Sequence, residues 1–121
     1  MVTTKVVTVL DDNATQTAGG ANHDSDVMDL QDGYGAFLQI KVTNGATGPT
    51  LAAQAQIQTS PDNSNWYNFG GALIATLGAN IVTSWGVPIP IGCKYLKVTS
   101  GSNTGQNVVI RVSCTEVTEV S

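Results

Sequence analysis

Apolar and polar side chains alternate with a period of two along most of this sequence, and no window of a dozen residues repeats apolar positions at helical spacing. From Ala36 to Thr43, Leu38, Ile40 and Val42 point one way while Gln39, Lys41 and Thr43 point the other. Ala53, Ala55 and Ile57 alternate with Gln54, Gln56 and Gln58, which predicts a half-buried strand with an amide face. Shorter strands are expected at Lys5 to Leu10, Val27 to Leu30, Trp66 to Phe69 and Ile81 to Trp85. Val87 to Ile91 also alternates, but Pro88 and Pro90 cannot donate to a ladder, so this piece belongs at an edge or in an extended connection. Leu96 and Val98 mark one late strand, and Val108, Ile110 and Val112 mark the last.

Turn chemistry separates these segments. Asn44-Gly45, Gly48-Pro49, Pro61-Asp62-Asn63-Ser64 and Gly70-Gly71 are turn sequences, while Ala72 to Asn80 is ambiguous between a short strand and a helical turn. Asp11 to Ser25 is rich in Asp, Asn, Thr and Gly and is expected to be a long loop or a mobile arm. The chain then divides into an N-terminal strand and polar arm (1–26) and a sandwich body (27–121) within one domain. About eight short antiparallel strands with turns every ten residues or so predict an all-β, single-domain β-sandwich, jelly-roll or immunoglobulin-like.

The two cysteines bear on compartment. If the strands around Leu96 and Ile110 form a hairpin through Gly101 to Gly105, their apolar faces must coincide, and Cys93 falls on the face opposite Cys114. Side chains on opposite faces cannot bridge, so two free thiols are expected, in keeping with a reducing compartment. The N-terminus, Met1 to Leu10, is too polar for a signal peptide and too short for a membrane span, which points to folding in a cytoplasm.

Composition narrows the function classes. Charged residues make up only 12% of the chain, about half the usual share, so the surface is built from Thr, Ser, Asn, Gln and Gly. The net charge is −4, and Lys5, Lys41, Lys94, Lys97 and Arg111 form no stripe that could track phosphates, which argues against nucleic acid as a partner. Six of the nine acids lie between Asp11 and Asp32, as in a solvated segment.

Chemistry is sparse. The single His23, in His23-Asp24-Ser25-Asp26, brings too few fixed ligands for a structural metal site and has no nucleophile elbow to serve. Asp62-Asn63-Ser64-Asn65 echoes the start of a calcium loop but lacks its Gly and its final Glu. The Gly pairs match no phosphate-binding fingerprint, and no acid pair lies within a strand. No enzyme activity and no cofactor are expected. Tyr34, Trp66, Tyr67, Trp85 and Tyr95 serve either as core and subunit contacts or as a stacking platform for sugars.

Ser60-Pro61-Asp62-Asn63-Ser64-Asn65-Trp66 resembles the Ser-x-Asp-Gly-x-Asn-Trp turn of small β-sandwich proteins from tailed-bacteriophage virions, with Asn63 where Gly is usual. Gly92-Cys93-Lys94-Tyr95-Leu96-Lys97-Val98 is similar to the Lys-Tyr-x-Arg-Val strand of the same proteins, and the likeness spans Asn44 to Val117. The resemblance implies a capsid decoration, or cement, protein on the outside of a phage head. Its implied partners are the major capsid protein and copies of itself, in a trimer more than a dimer, with no membrane involved. A tail or baseplate protein, or an adhesin that binds glycans, is the alternative. Candidate partner contacts are Thr3, Asp11, Asp12, Asn22 and His23 in the arm, and Trp66, Tyr67 and Trp85 among the aromatics.

Overall fold

A computed structural model describes residues 3–120, with side chains from residue 4 to residue 118. The strands are β1 (Thr3–Gln16), β2 (His23–Asp24), β3 (Met28–Asp29), β4 (Ala36–Asn44), β5 (Gln54–Ser60), β6 (Tyr67–Asn68), β7 (Leu73–Ile74), β8 (Val82–Ile89), β9 (Tyr95–Gly101) and β10 (Val108–Val120). All paired strands run antiparallel, in two sheets. One sheet has the order β1-β10-β4-β8. In the other, β9 and β5 form the centre, β2 and β3 both pair with β9, and β6 and β7 both pair with β5.

Taking β2 with β3 and β6 with β7 as interrupted single strands, the molecule has eight strand positions, four to a sheet. The chain changes sheet at every step except from β5 to β6, which gives the strand order of a jelly roll rather than of an immunoglobulin domain.

The alternation read from the sequence closes the core. Leu38, Ile40 and Val42 of β4 and Ile110, Val112 and Cys114 of β10 are buried from one sheet. Ala55 and Ile57 of β5 and Leu96 and Val98 of β9 meet them from the other. Ala53, just before β5, and Ala55 within it are small core residues that leave room for the larger side chains of β4 and β10. Trp85, Val87, Phe69 and Leu73 are half-buried against this core.

Two expectations change. Residues 11–16 are not an arm: they continue β1, which pairs with β10 from Thr3 opposite Val120 to Gln16 opposite Val108. His23 and Asp24 likewise pair with β9, so residues 3–26 belong to the sandwich body. Polar composition misleads here because β1 is an edge strand with one face in solvent. Its register also shifts between Val9 and Asp11 and between Asp11 and Ala14, with Asn13 left-handed at φ 54°. These bulges break the alternation that a sequence pattern depends on.

The second change concerns the cysteines. β9 and β10 lie in opposite sheets and form no hairpin. Both thiols are free nonetheless, Cys114 buried and Cys93 half-buried with its Sγ donating to the Tyr95 carbonyl at 3.5 Å. Burial pushes the Cys114 thiol up to about 11, helped by the nearby Glu116, so it stays neutral and unreactive.

The Ser60–Trp66 turn has the geometry its sequence promises. Asp62 Oδ1 accepts the backbone N–H groups of Ser64 and Asn65 at 2.9 and 2.8 Å, and Asn63 takes φ 60° in the position where glycine is usual. Those bonds, the Asn65 amide foremost, hold the Asp62 carboxyl well below the usual range.

Candidate functional site

Strand register decides what the four-stranded sheet shows to solvent. With Leu38, Ile40 and Val42 inward, β4 turns Phe37, Gln39 and Lys41 outward, opposite Thr115, Ser113 and Arg111 of β10. On β1 the same face carries Lys5, Val7 and Val9, opposite Val117, Thr115 and Ser113, and on β8 it carries Ser84, Gly86 and Pro88.

Phe37 lies across Gly86: a Cβ on that glycine would fall 2.5 Å from the phenyl Cζ. The ring forms a ridge, 40% exposed, between two open troughs. One, of about 370 Å³, runs between Lys41, Ser84, Gly86, Arg111 and Ser113. The other, of about 390 Å³, is lined by Lys5, Tyr34, Phe37, Thr115 and Val117. Val7 is 63% exposed beside it. The face is therefore a shallow platform, apolar around Phe37, Val7 and Val117 and polar around Gln39, Ser84 and Ser113, bordered by three bases, of which Arg111 is paired with the exposed Asp12.

At the end of this sheet Glu116 is 8% exposed, with Gly33 packed so closely that an added Cβ would sit 2.8 Å from its Oε1. Burial raises the Glu116 carboxyl above its ordinary value, and the nearby Asp29 and Asp32 raise it further. A raised folded-state value means that protonation at Glu116 stabilises the fold. That contribution is complete below the unfolded value and is lost as pH rises through the folded one. Glu116→Gln is therefore expected to be more stable than the parent near pH 7, by about 1 kcal/mol or a few degrees in Tm. The difference should vanish in melts taken near pH 4, and a variant less stable than the parent at pH 7 would contradict the assignment.

The outer face of the second sheet is polar and largely self-satisfied. Thr99 Oγ1 donates to Asp24 Oδ1 at 2.7 Å and lies 3.2 Å from Gln58 Oε1, Lys97 Nζ donates to Asp24 Oδ2 at 3.2 Å, and Gln58 Nε2 donates to Asn68 Oδ1 at 3.2 Å. The Thr99 bond, opposed by burial and assisted by Lys97, lowers the Asp24 carboxyl.

The sequence-level candidates do not converge. Asp11 is buried and its Oδ1 lies 2.7 Å from His23 Nε2, a contact that ties the two sheets together. Asn22 is exposed and its Oδ1 packs over Gly101, where a Cβ would fall 2.2 Å away. The Thr3 backbone pairs with Val120, and its side chain lies outside the described residues. Trp66 carries Lys97 Nζ 4.5 Å from its ring centroid. Tyr67 is 61% exposed on β6, while Trp85, opposite Ile40 in the register, turns toward the core of the other sheet. Trp85, in the other sheet and packed on the core, does not join Trp66 and Tyr67 in a stacking surface. Among the described residues no group of three or more His, Cys, Asp or Glu side chains is placed to hold a metal ion.

The residue that sequence reading passed over is Phe37. Its signal was present: a large aromatic in the polar phase of β4, in step with Gln39 and Lys41.

No protein-family model matches the chain, and no curated protein matches it in sequence. Solved structures match it in fold. VP2 of infectious bursal disease virus, in a subviral particle, gives a TM-score of 0.57 at 12% identity over 94% of this chain and 32% of VP2. The chain thus spans about a third of that protein. The SPBc2 prophage-derived protein YomS gives 0.54 at 12% identity and covers 95% of this chain and 96% of its own. The K3 cleaved adhesin domain of Lys-gingipain from Porphyromonas gingivalis w83 gives 0.53 at 16% identity, over 93% of this chain and 73% of its own. At such identities the likeness is one of fold: an all-β, two-sheet antiparallel sandwich shared with a viral capsid protein and a prophage-derived protein.

Proposed function

We propose that this chain is a structural protein of a phage virion that decorates the outside of the head, held there by the major capsid protein and acting by contact rather than by turnover. The observation that carries the reading is the outer face of the β1-β10-β4-β8 sheet. A shallow platform with the Phe37 ridge at its centre and Lys5, Lys41 and Arg111 at its border suits a broad protein surface better than a small molecule. The near-complete mutual coverage with a prophage-derived protein supports the same direction at the level of fold. Contact through an N-terminal arm has no support, since that segment is built into the sheets. Glycan binding has less support than head binding, because Lys97 sits on the Trp66 ring and Trp85 faces inward.

The test uses purified heads that lack the protein. The chain is expected to co-sediment with expanded heads and to appear on their outer surface by cryo-electron microscopy. Phe37→Asp should weaken that binding by at least about tenfold, since a buried anchor residue is worth about 2 kcal/mol or more. Because the ring also packs on Gly86 the variant should melt lower, so binding is compared at a temperature where both proteins are folded. Binding that ignores Phe37→Asp, or a protein found only on tails, would refute the proposal.

A further inference from the structure

We propose that the free edge of β8 is where a second copy of this chain joins, strand to strand, about a two-fold axis. The two edges of the four-stranded sheet differ. β1 is guarded in the ways edge strands usually are: its register breaks between Thr4 and Lys5, between Val9 and Asp11 and between Asp11 and Ala14, and it carries the charges of Lys5 and Asp12. β8 has neither bulges nor charges, and its one guard is Pro88, near the C-terminal end of the strand. Its register with β4 runs unbroken from Thr43 opposite Val82 to Ala36 opposite Ile89, and no residue from Val82 to Ile89 is charged.

The direction of its backbone groups follows from one bond. The Asn44 N–H donates to the Ile81 carbonyl at 2.9 Å, one step beyond the Thr43–Val82 pair. In an antiparallel ladder the bonded pairs alternate, so the odd-numbered residues of β8 bond to β4 and the even-numbered ones face away. The free edge therefore presents the N–H groups of Val82, Ser84 and Gly86 and the carbonyls of those residues and Pro88. The donor that Pro88 lacks falls on this free side, where it costs the monomer nothing.

The occupant is read from charge. Between Lys41 and Lys94 the chain has one charged residue, Asp62. That half of the sequence supplies β5 to β8 and, next to the β8 edge, exposes Ile74, Leu77, Ile81 and Val82. The patch is held together by the Thr76 N–H bond to Thr83 Oγ1 at 3.0 Å and by the packing of Ile81 on Gly78. Asp12, Asp24, Asp26 and Asp29 lie on the opposite side, along β1 to β3, whose edges are tied by the Asp26 N–H bond to the Leu10 carbonyl. Asp12 is paired with Arg111 and Asp24 with Lys97, which leaves Asp26 and Asp29 to set the negative sign of that side. In a chain of net charge −4, two copies approaching through that side meet like charges, while approach through β8 meets none. Antiparallel pairing of β8 with β8 is isologous and closed, so it makes a dimer and not the expected trimer. It would also join two outer faces into one continuous eight-stranded platform, doubling the surface available for avid binding.

The inference stands apart from head binding and is tested on the full chain in solution. Sedimentation equilibrium is expected to show a monomer–dimer equilibrium at micromolar concentrations. Hydrogen exchange should show the Ser84 and Gly86 amides protected when concentrated and unprotected on dilution. Val82→Lys, a charge on the exposed edge, and Ser84→Pro, which removes one outward N–H, should each raise the dimer dissociation constant at least about tenfold. Val82→Lys leaves the internal ladder intact and keeps the test valid if Ser84→Pro folds poorly. A chain that stays monomeric up to millimolar concentration overturns the proposal, as does an oligomer of any size that leaves those two amides in free exchange or ignores Val82→Lys.

Discussion

A chain that begins at residue 27 is expected to be unfolded, with no cooperative thermal transition and collapsed amide dispersion in its NMR spectrum. The deletion removes β1, whose backbone pairs along nearly the whole of β10, and β2, which pairs with β9. It strips Leu10 from the core. It also removes Ser25, whose N–H donates to the Val98 carbonyl at 2.8 Å and whose Oγ accepts the Val98 N–H at 2.9 Å. β10 would become a bare edge with Ile110, Val112 and Cys114 uncovered on one side. Small domains hold only about 5–15 kcal/mol in reserve, and the loss of a full edge strand with its core residue and its ladder exceeds that. A truncated chain that kept a dispersed spectrum and a sharp melt would mean that residues 3–26 are an appendage after all. The same result explains why head binding cannot be assigned by trimming the N-terminus: the truncation removes the fold before it tests the contact.

Strands with one buried face were legible wherever their alternation was unbroken. Leu38-Gln39-Ile40-Lys41-Val42 and Ala55-Gln56-Ile57-Gln58 give their inward and outward faces correctly, and both lie at or near the middle of a sheet, where neighbours on each side enforce the register. β1 was legible only as far as Leu10, since a bulge shifts the phase and hands the inward position to Asp11, whose buried carboxylate finds its partner in His23. No local pattern announces a pairing between residues twelve apart in different sheets. The hairpin expected for β9 and β10 failed for a related reason. Loop length and coincident apolar faces fit a crossover between two sheets as well as a hairpin within one, because both sheets aim their apolar faces at the same core. The outer-face platform was in the sequence as a single out-of-phase aromatic, Phe37. Its meaning depends on Gly86, which sits opposite Gln39 on a strand whose neighbour could not be known.

Gly48→Ala is expected to be among the most damaging single substitutions outside the core, costing about 3 kcal/mol and lowering Tm by roughly 10 °C. Two effects add. Gly48 has φ +79°, a left-handed conformation that costs an alanine about 1 kcal/mol. Its missing Cβ is also where another loop passes: an added methyl would lie 2.7 Å from the Gly78 carbonyl carbon and 2.9 Å from the Ala79 nitrogen. That loop cannot give way cheaply. Asn44 Nδ2 holds the Thr76 and Gly78 carbonyls at 2.8 and 2.9 Å, and the Asn80 N–H is bonded to the Gly45 carbonyl at 2.9 Å. Gly19→Ala supplies the control, because Gly19 is also left-handed, at φ +66°, but has no atom within 4 Å of the added Cβ. It should cost only the backbone share, about 1 kcal/mol. Urea denaturation of both variants beside the parent separates strain from collision. Equal losses for the two would mean that the Gly48 and Gly78 loops do not approach as closely as the packing of this end of the sandwich requires.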